Sequence, residues 1–457
     1  MPPLTSKGGR APRFARQRAT LRHMAFASPA RFLAFGYLVY ILAGWGALML
    51  PLAQTVPVGA LDALFIATSA VSTTGLVSID PGSSFTGFGE AVILLLILAG
   101  GLGYMTVGSF AVLALRNRLS GMRNQGAKLA FNLPEGTDTK EFVRAVVLFS
   151  FAVMLAGAAA LWPLFRAAGL EAPVWQALFH SVSAFCTAGF SLLPTGMEPF
   201  RDNIGINLVL SLLSILGATG FLVVVDLWQR AKGWPRPLAF SSVVILRITL
   251  LLIGGGALFL AFADPQISAI EGPGRWYAAV FQAMSASTTV GFNTVPISGI
   301  DAAAVLVLAL LMLVGASPAG TGGGLKTTTF AVVVAQMLSV LPRNPQTRLF
   351  GFEISPERQS LALASLGYYL ALLFLFATCL LVTEAGARFD VVLFEAISAM
   401  STVGLSMGIT GSLSDPGKMI VVLLMYAGRV GILTFALAIA ARRGDQDSPA
   451  PKADIVL

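Results

Sequence analysis

Four strings in this chain combine residue types and spacing that could hold a dehydrated cation. They read Phe65-Ile-Ala-Thr-Ser-Ala-Val-Ser-Thr-Thr-Gly-Leu76, Phe179-His-Ser-Val-Ser-Ala-Phe-Cys-Thr-Ala-Gly-Phe190, Phe281-Gln-Ala-Met-Ser-Ala-Ser-Thr-Thr-Val-Gly-Phe292 and Phe394-Glu-Ala-Ile-Ser-Ala-Met-Ser-Thr-Val-Gly-Leu405. The common pattern is Phe-x-x-x-Ser-Ala-x-x-Thr-x-Gly-Leu/Phe. Each string closes a short apolar stretch, and a helix of that length cannot cross a bilayer, which takes about 20 residues. A helix that stops inside the membrane leaves its last carbonyls unpaired, at the negative end of its dipole. The glycine behind it (Gly75, Gly189, Gly291, Gly404) reaches backbone angles that other residues resist, so carbonyls can turn inward. Four such ends around one axis would replace the water shell of an ion, as carbonyl rings do in potassium filters. The lining residues would be Thr73, Thr74 and Gly75, then Thr187, Ala188 and Gly189, then Thr289, Val290 and Gly291, and finally Thr402, Val403 and Gly404. No Asp or Glu stands in these turns, which argues against a carboxylate ring for divalent cations.

A second constellation interrupts an apolar run at Leu313-Val-Gly-Ala-Ser-Pro-Ala-Gly-Thr-Gly-Gly-Gly-Leu-Lys-Thr-Thr-Thr-Phe330. Pro318 lacks a donor, and Gly315, Gly320, Gly322, Gly323 and Gly324 disfavour continuous helix. The stretch 314–326, with Ser317, Thr321 and Lys326, reads as a flexible loop inside the membrane, below the third Thr-x-Gly turn. It is superficially similar to a nucleotide-binding P-loop. Leu325, however, precedes Lys326 where that motif has glycine, and no strand leads into it. A third feature is Arg429, within the last apolar run. A charge at that depth is expensive and faces a cavity or a partner; with Arg442 and Arg443 marking the membrane edge, a continuous helix would hold it roughly 20 Å inside.

The elements that must position these residues follow from composition. Of 457 residues, 56% are hydrophobic and 11% charged, whereas soluble domains run near a quarter charged. A water-facing surface cannot be covered with so little charge, so soluble, disordered, disulfide-rich secreted and nucleic-acid-binding chains are excluded. The apolar runs are continuous rather than alternating, which selects helices over a barrel. Runs near 32–52, 88–115, 142–165, 204–229, 243–263, 302–340, 360–383 and 417–441 give eight spans. Basic residues cluster on alternate connections: Lys7 to Arg31, Arg116 to Arg144, Arg230 to Arg247, Arg343 to Arg358, then Arg442, Arg443 and Lys452. The positive-inside rule places both termini in the cytoplasm. The basic N-terminus is then a topology anchor and not a nucleic-acid arm, and no small-residue cleavage site follows 32–52. The four strings fall on the opposite connections, one per pair of spans, so the chain is a fourfold repeat. The expected organisation is a basic N-terminus (1–31), repeat one (32–115), a cytoplasmic loop (116–141), repeat two (142–230), repeat three (242–340, with the loop 314–326), repeat four (357–442) and a tail (443–457). The fold class is an all-α integral membrane protein, with eight transmembrane helices and four re-entrant helices around one central pore.

Four span–pore-helix–span repeats, each with one glycine in its turn, resemble the Trk/Ktr/HKT superfamily of potassium transporters over about 32–441. Eight spans without an additional leading pair look most like the KtrB type, the membrane subunits of bacterial Ktr systems; a TrkH-type subunit is the alternative. The resemblance implies potassium uptake across a bacterial inner membrane through a selectivity filter made by the four turns. The single-glycine filter is shorter than the Thr-Val-Gly-Tyr-Gly type and would tolerate sodium more readily; sodium or proton coupling stays open. The loop 314–326 resembles the family's gating loop, which blocks the pore until it moves. Arg429 matches the family's arginine under the filter, which repels resting potassium and can hold the loop closed, and Lys326 would extend that barrier. No cofactor is implied in this chain beyond the transported potassium ion. Its cytoplasmic connections are too short for a nucleotide sensor, which needs nearer 100 residues. Nucleotide is therefore expected on a partner: a cytosolic ring of RCK-type, KtrA-like subunits docking on 116–144, 230–240 and 341–358. A homodimer is implied as well.

Two other classes fit less well. An alternating-access carrier typically shows two inverted repeats instead of four parallel ones, and an enzyme would need paired carboxylates, a nucleophile–base set or a metal cluster within the spans. His180 reads as structural, and Asn293 as a turn former at the outer mouth. Asp62, Asp80, Asp264, Glu271, Asp301, Glu384 and Asp390 read as a solvated outer rim. Cys186 and Cys379, both in apolar segments, read as unpaired.

Overall fold

The structure, a computed structural model, describes residues 29–118, 139–233, 237–318, 320–340 and 346–431. The basic N-terminal segment through residue 28, the loop 119–138 and everything after 431 lie outside the described residues, together with the orientation and docking expectations placed on them.

Backbone polar groups in lipid must pair within their own segment, so the apolar runs fold as helices. Repeat one holds α1 (Pro29–Leu48), the short α2 (Ala60–Ser72) and α3 (Gly87–Arg118). Repeat two holds α4 (Thr139–Ala167), the short α5 (Pro173–Phe185), α6 (Ile204–Thr219) and α7 (Phe221–Ala231). Repeat three holds α8 (Phe240–Ala263), the short α9 (Gly274–Thr288), α10 (Ala302–Leu313) and α11 (Thr327–Val340). A two-stranded antiparallel hairpin, β1 (Arg348–Leu349) with β2 (Phe352–Glu353), leads into repeat four. That repeat holds α12 (Pro356–Thr383), the short α13 (Phe389–Met400) and α14 (Asp415–Val430). Among the described residues, 144–167, Phe240–Ala263 and Pro356–Thr383 are long and apolar enough to cross a bilayer alone.

Local chemistry sets the starts of the returning helices. Asn203, Asp301 and Ser414 cap α6, α10 and α14 by accepting from the amides of Ile206, Ala303 and Gly417, the role such short polar side chains fill at helix N-termini. The buried core forms two halves, one from repeats one and two and the other from repeats three and four. Each half borrows from the other. Phe65 and Leu76 pack into the second, while Phe281, Phe292 and Val430 pack into the first, so the four repeats close on one another.

Three expectations are corrected. The apolar run 204–229 is not one continuous helix: it breaks at Gly220 (φ 81°), and α7 leaves α6 at 102°. Nor does the last helix run on unbroken beyond Arg429: α14 ends at Val430, and Gly431 takes φ 89°. A depth counted along an unbroken helix from Arg442 therefore does not apply. The outer acids, finally, are mostly built in. Asp264 is fully buried and accepts from the Ile267 and Asp301 amides. Asp80 and Asp301 cap helices, Glu384 holds Ser414, and Asp62 pairs with Lys418 at 2.7 Å. Carboxylates at helix starts accept hydrogen bonds from amides that have no partner within the helix, so several of these acids serve the fold.

Candidate functional site

The four Thr-x-Gly turns meet. A methyl placed on Gly75 would lie 2.4 Å from the Ala188 carbonyl oxygen; on Gly189, 2.2 Å from that of Val290; on Gly291, 1.9 Å from that of Val403; and on Gly404, 2.1 Å from that of Thr74. Each glycine thus abuts the next repeat's middle residue, and the fourth returns to the first. That is a closed ring.

The local backbone is the same in all four. Thr73, Thr187, Thr289 and Thr402 have φ of 52°, 50°, 58° and 50°. Left-handed backbone is a genuine outlier for a β-branched residue and costs about 1–2 kcal/mol each time. The following amides, of Thr74, Ala188, Val290 and Val403, bond back to the carbonyls of Ser69, Ser183, Ser285 and Ser398 at 2.8–3.1 Å. This is the Schellman closure of a helix C-terminus, with threonine where glycine is usual. The glycines then also take positive φ, from 65° to 96°. Among the described residues, no donor reaches the carbonyl oxygens of the threonine, the middle residue or the glycine of any turn, although threonines and middle residues are buried. Buried carbonyls are almost always paired; here those of eight buried residues in one ring lack a protein donor, as do those of the four half-buried glycines.

The shared serine, a packing residue by composition alone, turns out to brace the turn. Ser69 and Ser398 accept from the amides of Gly75 (3.1 Å) and Gly404 (3.0 Å). Ser183 and Ser285 donate instead to the carbonyls of Phe190 (2.9 Å) and Phe292 (2.5 Å). The shared Phe65, Phe179, Phe281 and Phe394 are buried packing residues. Recurrence of the serine was the sequence signal for this brace; its geometry was not readable there.

The broken stretch 314–326 lies against the threonine side of the ring. Thr289 Oγ1 accepts from the Gly323 amide (3.2 Å), and the Thr187 and Thr321 hydroxyls are 3.1 Å apart. A methyl on Gly323 would lie 2.2 Å from Thr402 Oγ1. Thr73 Oγ1 and Thr402 Oγ1 are buried without a partner. The stretch is closely tied, not loose. Gly315 N and Leu325 N bond to Leu325 O and Leu313 O, and Ala316 N to Gly323 O. Ser317 and Thr321 occupy the frayed end of α6: the amides bond to Ala218 O and Gly217 O, and Ser317 Oγ to Thr219 O. These bonds explain the break at Gly220, since the carbonyls an unbroken α6 would use internally serve the loop. Its glycines are needed for close approach, for a methyl on Gly320 would sit 2.0 Å from Ala218 O.

Lys326 Nζ donates to Gly322 O (2.7 Å) and Gly323 O (3.3 Å). Arg429, 1% exposed, spans two elements: Nη1 donates to Thr321 O (2.5 Å) and Nη2 to Gly100 O (2.7 Å) of α3. Around the ring, Asn293 Nδ2 donates to Glu198 Oε1 and Val295 O. His180 sits among Phe165, Phe179 and Phe292, with Nε2 at 3.0 Å from Ser191 Oγ. Cys186 and Cys379 are both free.

A fourfold set of re-entrant helices ending in a ring of unpaired carbonyls defines an integral membrane transport protein. Residues 17–447 match the family model TrkH, described as cation transport protein, and the chain belongs to that family, one of transporters and not of enzymes. Among curated relatives, Ktr system potassium uptake protein B of Bacillus subtilis is 34% identical, over 90% of this chain and 93% of its own length. Potassium/sodium uptake protein NtpJ of Enterococcus hirae is 32% identical, over 94% and 97%. The crystal structure of the potassium transporter TrkH from Vibrio parahaemolyticus superposes with TM-score 0.70 at 21% identity, covering 89% of this chain and 85% of that one; it shares the fold.

Proposed function

We propose that this chain takes up potassium ions through a channel-like pore whose selectivity filter is the ring of turns, at Thr73–Gly75, Thr187–Gly189, Thr289–Gly291 and Thr402–Gly404. The observation that carries the reading is the closed ring of buried and half-buried residues whose carbonyls have no protein donor, since a stripped alkali ion supplies what they lack. The repeats 32–115, 142–230, 242–340 and 357–442 are the four walls. The names of the relatives in Bacillus subtilis and Enterococcus hirae support potassium as cargo, the latter with sodium. Gly315, Ser317, Gly320, Thr321, Gly322, Gly323, Gly324 and Lys326 form the gate beneath the filter, and Arg429 latches it through Thr321. The positive charges of Arg429 and Lys326 there also oppose a resident cation.

The chain sits in the bacterial inner membrane with both termini cytoplasmic, works as a homodimer, and answers to a cytosolic RCK-type subunit that carries the nucleotide site. A Ktr-type partner is favoured over a Trk-type one by the 34% relative, whose name places it in a Ktr system. The test is potassium-uptake rescue in a deficient bacterium, with and without a co-expressed RCK subunit, paired with rubidium flux into liposomes. Rescue and rubidium flux are expected, and Gly404→Ser or Gly291→Ser should lower potassium-over-sodium selectivity. Unchanged selectivity in both variants would remove the filter assignment.

A further inference from the structure

Glu395 is a fully buried carboxylate that the site above leaves unused. It is the second residue of the fourth string, on α13, and is 0% exposed. Its partners are hydroxyls on the limb leaving the fourth turn. Ser406, two residues past Gly404, donates to Oε2 at 2.8 Å, and Thr410 donates to Oε1. Ser406 Oγ also accepts from the Gly408 amide at 3.0 Å and lies 2.9 Å from Thr410 Oγ1. None of the ion pairs among the described residues involves Glu395.

The same position does related work elsewhere. His180 meets Ser191, two residues past Gly189, and Gln282 Oε1 accepts from the Thr294 amide at 3.0 Å, three past Gly291. Ile66 has no polar group to offer. The second residue of the string is thus a tie from the short helix to the outgoing limb in three repeats, and it is acidic in one.

We propose that Glu395 is a positioning residue that sets cation affinity at the fourth turn: its carboxylate pins the limb leaving Gly404 and gives that quarter of the ring a negative charge. A buried carboxylate with no cationic side chain is costly to keep, and its field is weakly screened in the interior. Cations entering the ring offset that cost, so charge at Glu395 and occupancy of the ring favour each other. The inference rests on the turns being the filter.

The test uses the full-length protein in liposomes, with rubidium uptake measured against cation concentration. Glu395→Gln keeps the shape and one acceptor while removing the charge. Its KM should rise about tenfold, the scale of one hydrogen bond to a charged group, with the maximal rate held within about twofold. Discrimination against sodium should fall with it. Glu395→Asp should recover much of the affinity, and Ser406→Ala should raise KM in the same direction by less. A folded Glu395→Gln protein with unaltered KM and discrimination overturns the proposal, as does a lowered rate at unaltered KM. If Glu395→Gln does not accumulate in the membrane, Ser406→Ala decides by the same readout, an unaltered KM again counting against it. Gly404→Ser, run alongside, separates the two ideas: unchanged selectivity there defeats the filter reading itself, whatever Glu395 does.

Discussion

Ser69, Ser183, Ser285 and Ser398 carry a load at the residue scale that their size conceals. Removing Ser398 Oγ takes away the acceptor of the Gly404 amide, and an unpaired buried donor costs about 1–3 kcal/mol. Ser398→Ala should therefore lower the melting temperature of the purified protein and weaken selectivity in rubidium-against-sodium flux. Ser398→Thr, which keeps the hydroxyl, should lose less. The glycines act sterically as well as conformationally. A methyl on Gly291 (φ 83°) would lie only 1.9 Å from Val403 O, so Gly291→Ala must displace the neighbouring turn. Its selectivity should fall even though alanine adds no polar group, which would distinguish geometry from chemistry at that position. The threonines explain why the motif has so little freedom: left-handed backbone at a β-branched residue persists only where the surroundings over-determine it, and here serine, glycine and buried phenylalanine do so together.

The broken stretch between α10 and α11 is an element whose bonds lie mostly with its neighbours. It takes carbonyls from the end of α6, hydroxyls from two turns, and one guanidinium from α14. Deleting 316–324 should raise basal flux in the absence of any partner subunit, and reduced flux in a folded protein would oppose the gate assignment. Arg429→Ala should move in the same direction, because it frees Thr321 O from Gly100 O. Arg429→Lys should recover little, since a single ammonium lacks the fork that reaches two carbonyls at once. Flux measured with and without the cytosolic partner reads both. The glycines of this stretch were visible in the sequence, but their abundance suggested looseness. Packing against Ala218 and Thr289 shows that small size, and not freedom, is what the site requires.

In the whole molecule, four repeats become a ring only if the last meets the first, and Lys418 of repeat four pairs with Asp62 of repeat one for this closure. The pair is largely sheltered, with side chains 13% and 21% exposed. Lys418→Ala should lower thermal stability in detergent by more than the roughly 0–1 kcal/mol typical of exposed pairs, and the charge-swapped double variant Asp62→Lys with Lys418→Asp should regain part of it. Membrane residence, helical class, the fourfold repeat and the turns themselves were legible along the chain. Continuous apolar runs and a recurring Thr-x-Gly are local signals, governed by lipid thickness and backbone sterics. The bend at Gly220, the end of α14 at Val430, the brace by each serine and the tie of Glu395 to Ser406 were not legible. Each depends on which carbonyl or hydroxyl another repeat brings within bonding distance, and that is decided only when segments far apart in the chain are packed around a shared axis.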